Sequence, residues 1–261
     1  MPRALVTNDD GIDSPGLWAL AAAARAAGLD VVVAAPHRDC SGVGTSVTSV
    51  RNGSRTALHP RELPGLADVE AWAVEAHPAY IVHVAGRGWL DPEPDLVLSG
   101  INIGANVGHA VLHSGTVGAA LTAARHGWRA LAVSLETAWP PPERLHWDTA
   151  TAVLTPLLDG LVDAPAGTVL SLNVPDRPVA QLHDLREARL ARFGVVQVCV
   201  THHLGEDGAD ALLTTVGDLE DPPEPDTDAA LLAAGHPTLT ELTPLGERPN
   251  VFERLALRQR P

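Results

Sequence analysis

The sequence predicts an α/β fold, a Rossmann-like open and mostly parallel sheet with helices on both faces. Three observations predict it. Short apolar runs recur along the chain and alternate with Ala-rich stretches of helical length, the signature of repeated βα units. The apolar runs are continuous rather than alternating, as in Val31-Val32-Val33-Ala34-Ala35, and continuity is what a strand buried on both faces requires. Polar clusters rich in Asn, Asp, Ser and Gly follow several of these runs, where an open parallel sheet places its ligands.

Each element follows in order. Residues 4–7 form the first apolar run, ended by Asn8-Asp9-Asp10-Gly11. Pro15-Gly16 opens a helix to about residue 27, closed by Gly28. Proline needs no N–H in a first helical turn, and glycine takes the left-handed conformation that ends one. Residues 31–35 are the second strand, stopped by Pro36. A strand at 71–76, a helix at 79–90, a strand at 95–99 and a small-residue helix at 116–126 continue the alternation. A strand at 130–135, a helix at 147–163 and a strand at 169–174 complete it. After Pro175 the pattern changes. Residues 195–201 and 211–216 read as antiparallel strands around a turn containing Gly205 and Gly208. A Pro/Asp/Glu-rich loop over 221–228 leads to a short helix at 229–234 and a strand near 238–242. The expected organisation is one domain over 1–261. Residues 1–175 are its catalytic core, 176–225 a projecting hairpin excursion, and 226–261 a C-terminal helix, strand and tail.

Composition narrows the function. Apolar residues are 45% and charged residues 19% of the 261, which suits a globular chain with a sizeable core. The 18 basic residues against 32 acidic ones give a net charge of −14, so phosphate backbones and anionic membrane surfaces repel the chain. Aromatic residues are only 3%, too few for a base-stacking single-strand binder. Every basic residue is Arg. Without Lys there is no Walker-A loop, no kinase-type phosphate-pairing lysine and no Schiff base. Cys40 and Cys199 lie far apart and form no CxxC pair, so neither a disulfide framework nor a thiolate zinc site is indicated. No apolar run approaches the ~20 residues of a membrane span, and residues 1–8 are too short an apolar stretch for a signal peptide. The expected location is the cytoplasm, with no nucleic-acid or membrane partner.

Three clusters can carry chemistry. Asn8-Asp9-Asp10-Gly11 places two carboxylates side by side, an arrangement that a hard divalent cation relieves and that an Asx-type turn before a helix also produces. Ser41-Gly42-Val43-Gly44-Thr45-Ser46 has glycines that let backbone N–H groups face an anion, and it also reads as a plain surface loop. The third runs from Ser99-Gly100-Ile101-Asn102-Ile103-Gly104-Ala105-Asn106-Val107-Gly108 to His113-Ser114-Gly115-Thr116. So many Gly and Asn residues are costly to order and add nothing to a core. It ends at a helix N-terminus, an anion site for which Ser114 also serves as N-cap. Acidic pair, glycine-lined loop and helix N-terminus together point to a metal beside a phosphate.

At these residues the sequence resembles the SurE (survival protein E) family of metal-dependent 5′/3′-nucleotidases. The resembling motifs are Leu5-Val6-Thr7-Asn8-Asp9-Asp10-Gly11-Ile12, Ser41-Gly42, the run Pro94 to Asn106, and His113-Ser114-Gly115-Thr116-Val117-Gly118-Ala119-Ala120. Asn173-Val174-Pro175 and the late Asp226-Thr227-Asp228 leading to Thr243-Pro244-Leu245 complete it. The resemblance covers nearly the whole chain. It implies hydrolysis of nucleoside 5′- and 3′-monophosphates and one divalent cation per subunit, Mg²⁺ or Mn²⁺. The ligands it implies are Asp9, Asp10, Ser41 and Asn102. It implies phosphate contacts at Asn106, Ser114, Gly115 and Thr116, and a C-terminal segment that assembles a homodimer or homotetramer. One departure stands out. Where the family has Gly-Thr-Pro-Ala-Asp, this chain has Ala76-His77-Pro78-Ala79-Tyr80, which bears on substrate or base preference. His113 beside the loop is a general-acid candidate and equally a packed or solvent-facing histidine.

The expected reaction is phosphomonoester hydrolysis, with Asp9 or Asp10 also able to accept a proton from water. The acidic cluster after the first strand, Asn8-Asp9-Asp10-Gly11, lacks the DxD spacing of aspartyl-phosphate phosphatases, which favours attack by water. The alternatives are a non-catalytic metal and nucleotide sensor, and a serine esterase using Ser114, which lacks the GxSxG elbow.

Overall fold

The computed structural model describes residues 1–48, 55–138, 140–192, 197–204, 210–217, 224–244 and 246. The apolar runs pair as a sheet whose centre is β1 (Arg3–Thr7). The strand is buried from Ala4 onward, which is why its run is uninterrupted. β2 (Asp30–Pro36) lies parallel on one side. Beyond it come an antiparallel edge strand, β3 (Leu58–Pro60), and the parallel β4 (Glu70–Val74) between the two. On the other side of β1 the parallel strands β5 (Leu96–Ile103), β6 (Arg129–Glu136) and β7 (Val169–Pro175) follow. The nine-stranded order is completed by β8 (Arg186–Glu187) and β11 (Thr238–Glu241), with β11 antiparallel to β7. The order therefore reverses between β1 and β5, and Thr7, the last residue of β1, stands opposite Ser99 within β5 there.

Helices cover both faces. α1 (Pro15–Ala26) and α4 (Trp147–Asp163) pack on the layer containing Val6, Val33, Leu98 and Val133. α2 (Pro78–Val84) and α3 (Gly115–Ala124) pack on the layer containing Leu5, Val32, Val97 and Ala132. Small residues set the spacing. A Cβ on Gly16 would lie 2.2 Å from the Ile101 carbonyl oxygen, so α1 reaches β5 only because it has none. A Cβ on Gly118 would lie 2.2 Å from the Gly44 carbonyl oxygen, which brings the loop after β2 onto α3.

The expected helix over 79–90 ends early, at Val84. Residues Ala85–Trp89 leave helical geometry because Gly88 takes φ +86° and Gly86 faces the His126 ring, where a Cβ would sit 2.4 Å from Nδ1. The strand expected at 95–99 runs on to Ile103 through a register shift between Ser99 and Asn102. β3 and β8 are exposed and two or three residues long, too short to show a period in the sequence. The expected hairpin is present as β9 (Gln197–Leu204) paired antiparallel with β10 (Asp210–Gly217). Its turn at Gly205 and Gly208, part of the 221–228 loop and the tail over 247–261 lie outside the described residues. α5 (Asp228–Ala233) starts at Thr227, whose hydroxyl accepts the Ala230 N–H, and leads into β11.

Candidate active site at the switch point

Asn8 makes the turn that presents the acidic pair. Its Oδ1 accepts the Gly11 N–H at 3.1 Å and its Nδ2 donates to the Gly11 carbonyl at 3.0 Å. The turn chemistry is thus complete without either carboxylate, and Asp9 and Asp10 are left for something else.

Asp9 is buried, 3% exposed, against the start of α3. The Thr116 hydroxyl donates to its Oδ1. The contact requires Gly115, since a Cβ there would come within 2.7 Å of Asp9 Oδ2 and 2.8 Å of Asp9 Cβ. Burial pushes the Asp9 carboxyl above the usual carboxylate range, while the Thr116 hydroxyl and the backbone groups of Asp9, Thr116 and Gly115 pull it back. The helix N-terminus favours the charged form for the same reason.

Asp10 points to the other loop. Its Oδ2 accepts the Ile103 N–H at 3.4 Å, beside Asn102. Burial, then the charge of Asp9, pushes its carboxyl up to about 7, with Asp39 adding a smaller push and the Ile103 N–H opposing. Among the described residues, neither Asp9 nor Asp10 has an Arg or His within ion-pair reach. Asn102 uses its Nδ2 on the Gly104 carbonyl at 2.7 Å and the Ile103 carbonyl at 3.3 Å, which fixes the amide and leaves Oδ1 without a donor among the described residues.

The other expected residues fall into two groups. Asn106 is clamped from β6 and β7. Its N–H donates to Asn173 Oδ1 at 2.8 Å, its carbonyl accepts Asn173 Nδ2 at 3.0 Å, and its own Nδ2 donates to Ser134 Oγ at 2.8 Å. Ser114 is the N-cap of α3, its Oγ accepting the Val117 N–H at 3.1 Å. Ser41 is exposed. Its N–H and hydroxyl donate to Asp39 at 2.8 Å and 3.3 Å, and its loop is tied to the acidic turn by the Cys40 N–H, which donates to the Asp9 carbonyl at 2.8 Å. The same loop reaches the start of α3 through the Gly44 N–H, which donates to the His113 carbonyl at 3.0 Å. The His113 side chain is exposed. His77 and Tyr80, the departures from the family motif, both hold the segment after β2: Thr48 Oγ1 lies 2.7 Å from His77 Nδ1, and Thr56 Oγ1 lies 3.2 Å from the Tyr80 hydroxyl.

Sequence reasoning missed several neighbours. Thr7 and Ser99 are fully buried with no partner for their hydroxyls among the described residues, and they lie in register on adjacent strands beside the acidic turn. Alternation from Leu5 and Val97 turns both toward α3. Asp39, Ser134 and Asn173 also escaped notice, although Asn173 stands in a quoted motif.

The donor set fits a hard divalent cation. A buried and a half-buried carboxylate, both with raised proton affinity and without an organic counter-ion among the described residues, flanked by amide and hydroxyl oxygens, are the kind of ligands that Mg²⁺ and Mn²⁺ take. Among the described residues no group of three or more His, Cys, Asp or Glu side chains is arranged for a metal, so neutral oxygens must complete the shell.

Fold and site together define a Rossmann-like α/β protein with an oxygen-ligand acidic centre facing a helix N-terminus at the switch point of its sheet. The family described as Survival protein SurE matches residues 4–197, and this chain belongs to that family. It is 40% identical over 200 residues to the 5′-nucleotidase SurE of Xanthomonas campestris pv. campestris (strain B100), covering 76% of this chain and 73% of that one. It is 36% identical over 260 residues to the 5′/3′-nucleotidase SurE of Edwardsiella ictaluri (strain 93-146), covering 97% and 96%. Among solved structures, the SurE protein from Aquifex aeolicus matches with a TM-score of 0.80 at 27% identity, over 97% of this chain and 98% of that one.

Proposed function

We propose that the chain is a divalent-metal-dependent phosphomonoesterase that hydrolyses nucleoside 5′- and/or 3′-monophosphates to nucleoside and phosphate. One observation carries the proposal: an aspartate pair without an organic counter-ion among the described residues, of which Asp9 is held against the N-terminus of α3 by Thr116 and the bare backbone of Gly115, and Asp10 faces Ile103 of the neighbouring loop. The relatives named as nucleotidases support the substrate class.

In this reading Asp9, Asp10, Ser41 and Asn102 hold one Mg²⁺ or Mn²⁺, and Asn106, Ser114, Gly115 and Thr116 form the phosphate side. When bound, the cation neutralises phosphoryl charge and acidifies a water. The chain's own residues do the rest. Asp9 is pinned by Thr116 and packed on Gly115, which suits a fixed ligand and not a nucleophile. Asp10 is the more open of the two, and in this reading its carboxylate takes the proton of the attacking water. Water oxygen bonds to phosphorus, the ester P–O bond breaks, and a proton ends on the leaving nucleoside oxygen. The α3 N-terminus and the clamped loop stabilise the charge that develops on the phosphoryl oxygens. Cytoplasmic location, and assembly into a homodimer or homotetramer through the C-terminal segment, belong to the same proposal. Among the described residues no helix is long and apolar enough to cross a membrane.

The esterase alternative fares badly at Ser114, whose Oγ accepts the Val117 N–H and has no imidazole partner among the described residues. A panel of nucleoside 5′- and 3′-monophosphates, with a carboxylic ester as control, separates the readings. Phosphate release from the nucleotides and no ester cleavage is the expected result. Tight nucleotide binding without turnover would replace the enzyme by a sensor.

A further inference from the structure

Asp228 lies at the start of α5, 120 positions from the loop that leads into α3, and is 1% exposed. Its carboxylate accepts three backbone N–H groups: Oδ2 takes Gly108 at 2.7 Å, and Oδ1 takes Ala191 at 2.9 Å and Ala229 at 2.8 Å. The Ala191 carbonyl in turn accepts the His109 N–H at 3.1 Å. Gly108-His109, Ala191 and the start of α5 are thus closed around one carboxylate, whose charge strengthens each bond. A small core of Val107, Ala191, Ala229 and Leu232, separate from the two main layers, packs beside it. Capping does not explain the residue, because Thr227 already caps α5.

What the carboxylate holds is the phosphate loop. The helical turn Gly108–His113 runs straight into Ser114, Gly115 and Thr116. Its upstream end is fixed at Asn106 by Asn173 and its downstream end at His113 by Gly44. Between those anchors the Gly108 N–H would otherwise be a buried donor without a partner. We infer that Asp228 is a positioning residue for the phosphate side of the centre, setting the 106–116 loop from the C-terminal segment without touching substrate. The inference rests on the assignment of Asn106, Ser114, Gly115 and Thr116 to the phosphate.

The test is Asp228→Asn in the full chain, since an amide keeps one acceptor oxygen and must release either Gly108 or the Ala191 and Ala229 pair. Four readouts are needed: kcat and KM, the inhibition constant of inorganic phosphate, Mn²⁺ affinity by calorimetry, and Tm. The expected result, measured well below Tm, is a rise of about tenfold in KM and in the phosphate inhibition constant, with Mn²⁺ affinity within about twofold of the parent. A lower Tm with unchanged KM and unchanged phosphate inhibition would make Asp228 merely structural and overturn the inference. Equal loss of Mn²⁺ affinity would overturn it as well. If Asp228→Asn does not fold, Asp228→Glu keeps the charge but moves both oxygens by one methylene, and unchanged phosphate inhibition in that variant counts against the inference. Asn106→Ala run in parallel separates the two ideas. If only Asn106→Ala weakens phosphate, the clamp fails and the loop assignment stands; if only Asp228→Asn does, the clamp stands and Asn106 loses its role.

Discussion

The Asp9 carboxylate and the absent side chain of Gly115 are two halves of one contact, and each makes a prediction. Gly115→Ala would force a Cβ to 2.7 Å from Asp9 Oδ2, with rigid elements on both sides. Kinetics and melting should show kcat/KM reduced by about 100-fold or more, at an overpacking cost of about 1–3 kcal/mol in stability. Asp10→Asn should abolish turnover for a different reason, and should raise or leave unchanged the Tm in EDTA at pH 8. Burial and the neighbouring Asp9 charge both oppose the charged form of Asp10, and the amide escapes both. A large loss of Tm in that variant would mean that the carboxylate serves the turn. At this scale, Asp9 and Asp10 stood out in the sequence as an acidic pair where an apolar run ends, whereas Asn102, inside β5, was singled out as a ligand only by the family resemblance. The bond from Thr116 to Asp9 spans 107 positions and that from Asn106 to Asn173 spans 67, and no local pattern records such partners.

Elements place these residues, and α2 and α3 meet at a histidine cluster that makes a pH prediction. His126, just past α3, stacks on Trp128 with ring centres 4.7 Å apart and tilts against His83 at 5.8 Å. Burial, then His83, Arg87 and Arg125, holds its imidazole below the usual histidine range, with Glu93 opposing. Because the folded form resists the proton, its stability contribution is complete above the ordinary histidine pKa of about 6.5 and is lost as pH falls below it. His126→Phe should therefore lose less Tm than the parent between pH 7.5 and 5.5. Identical pH slopes would show that His126 takes no part. The βα alternation was legible because both faces of each central strand are covered, which makes the runs continuous. The early end of α2 was not, because it depends on Gly86 meeting a histidine from another element. The edge strands β3 and β8 depend only on pairing with β4 and β11.

The whole molecule carries a net charge of −14 and no Lys, and its acidic centre lies at the reversal of strand order, where the proposed cation would meet the charge of the phosphoryl group. The pointer to such a cation lay in the acidic pair, the glycine-lined loop and the helix N-terminus taken together, not in any one of them. The tie between Asp228 and the Gly108–His113 turn was not legible, since it spans 120 positions. The most direct test strips the purified chain with EDTA, removes the chelator, and follows phosphate release from a nucleoside monophosphate as Mn²⁺ or Mg²⁺ is titrated back, with Asp10→Asn alongside. The account predicts no release from the stripped parent, recovery that saturates with added metal, and no recovery in the variant. Full activity of the stripped parent in a chelated, metal-free buffer would contradict it.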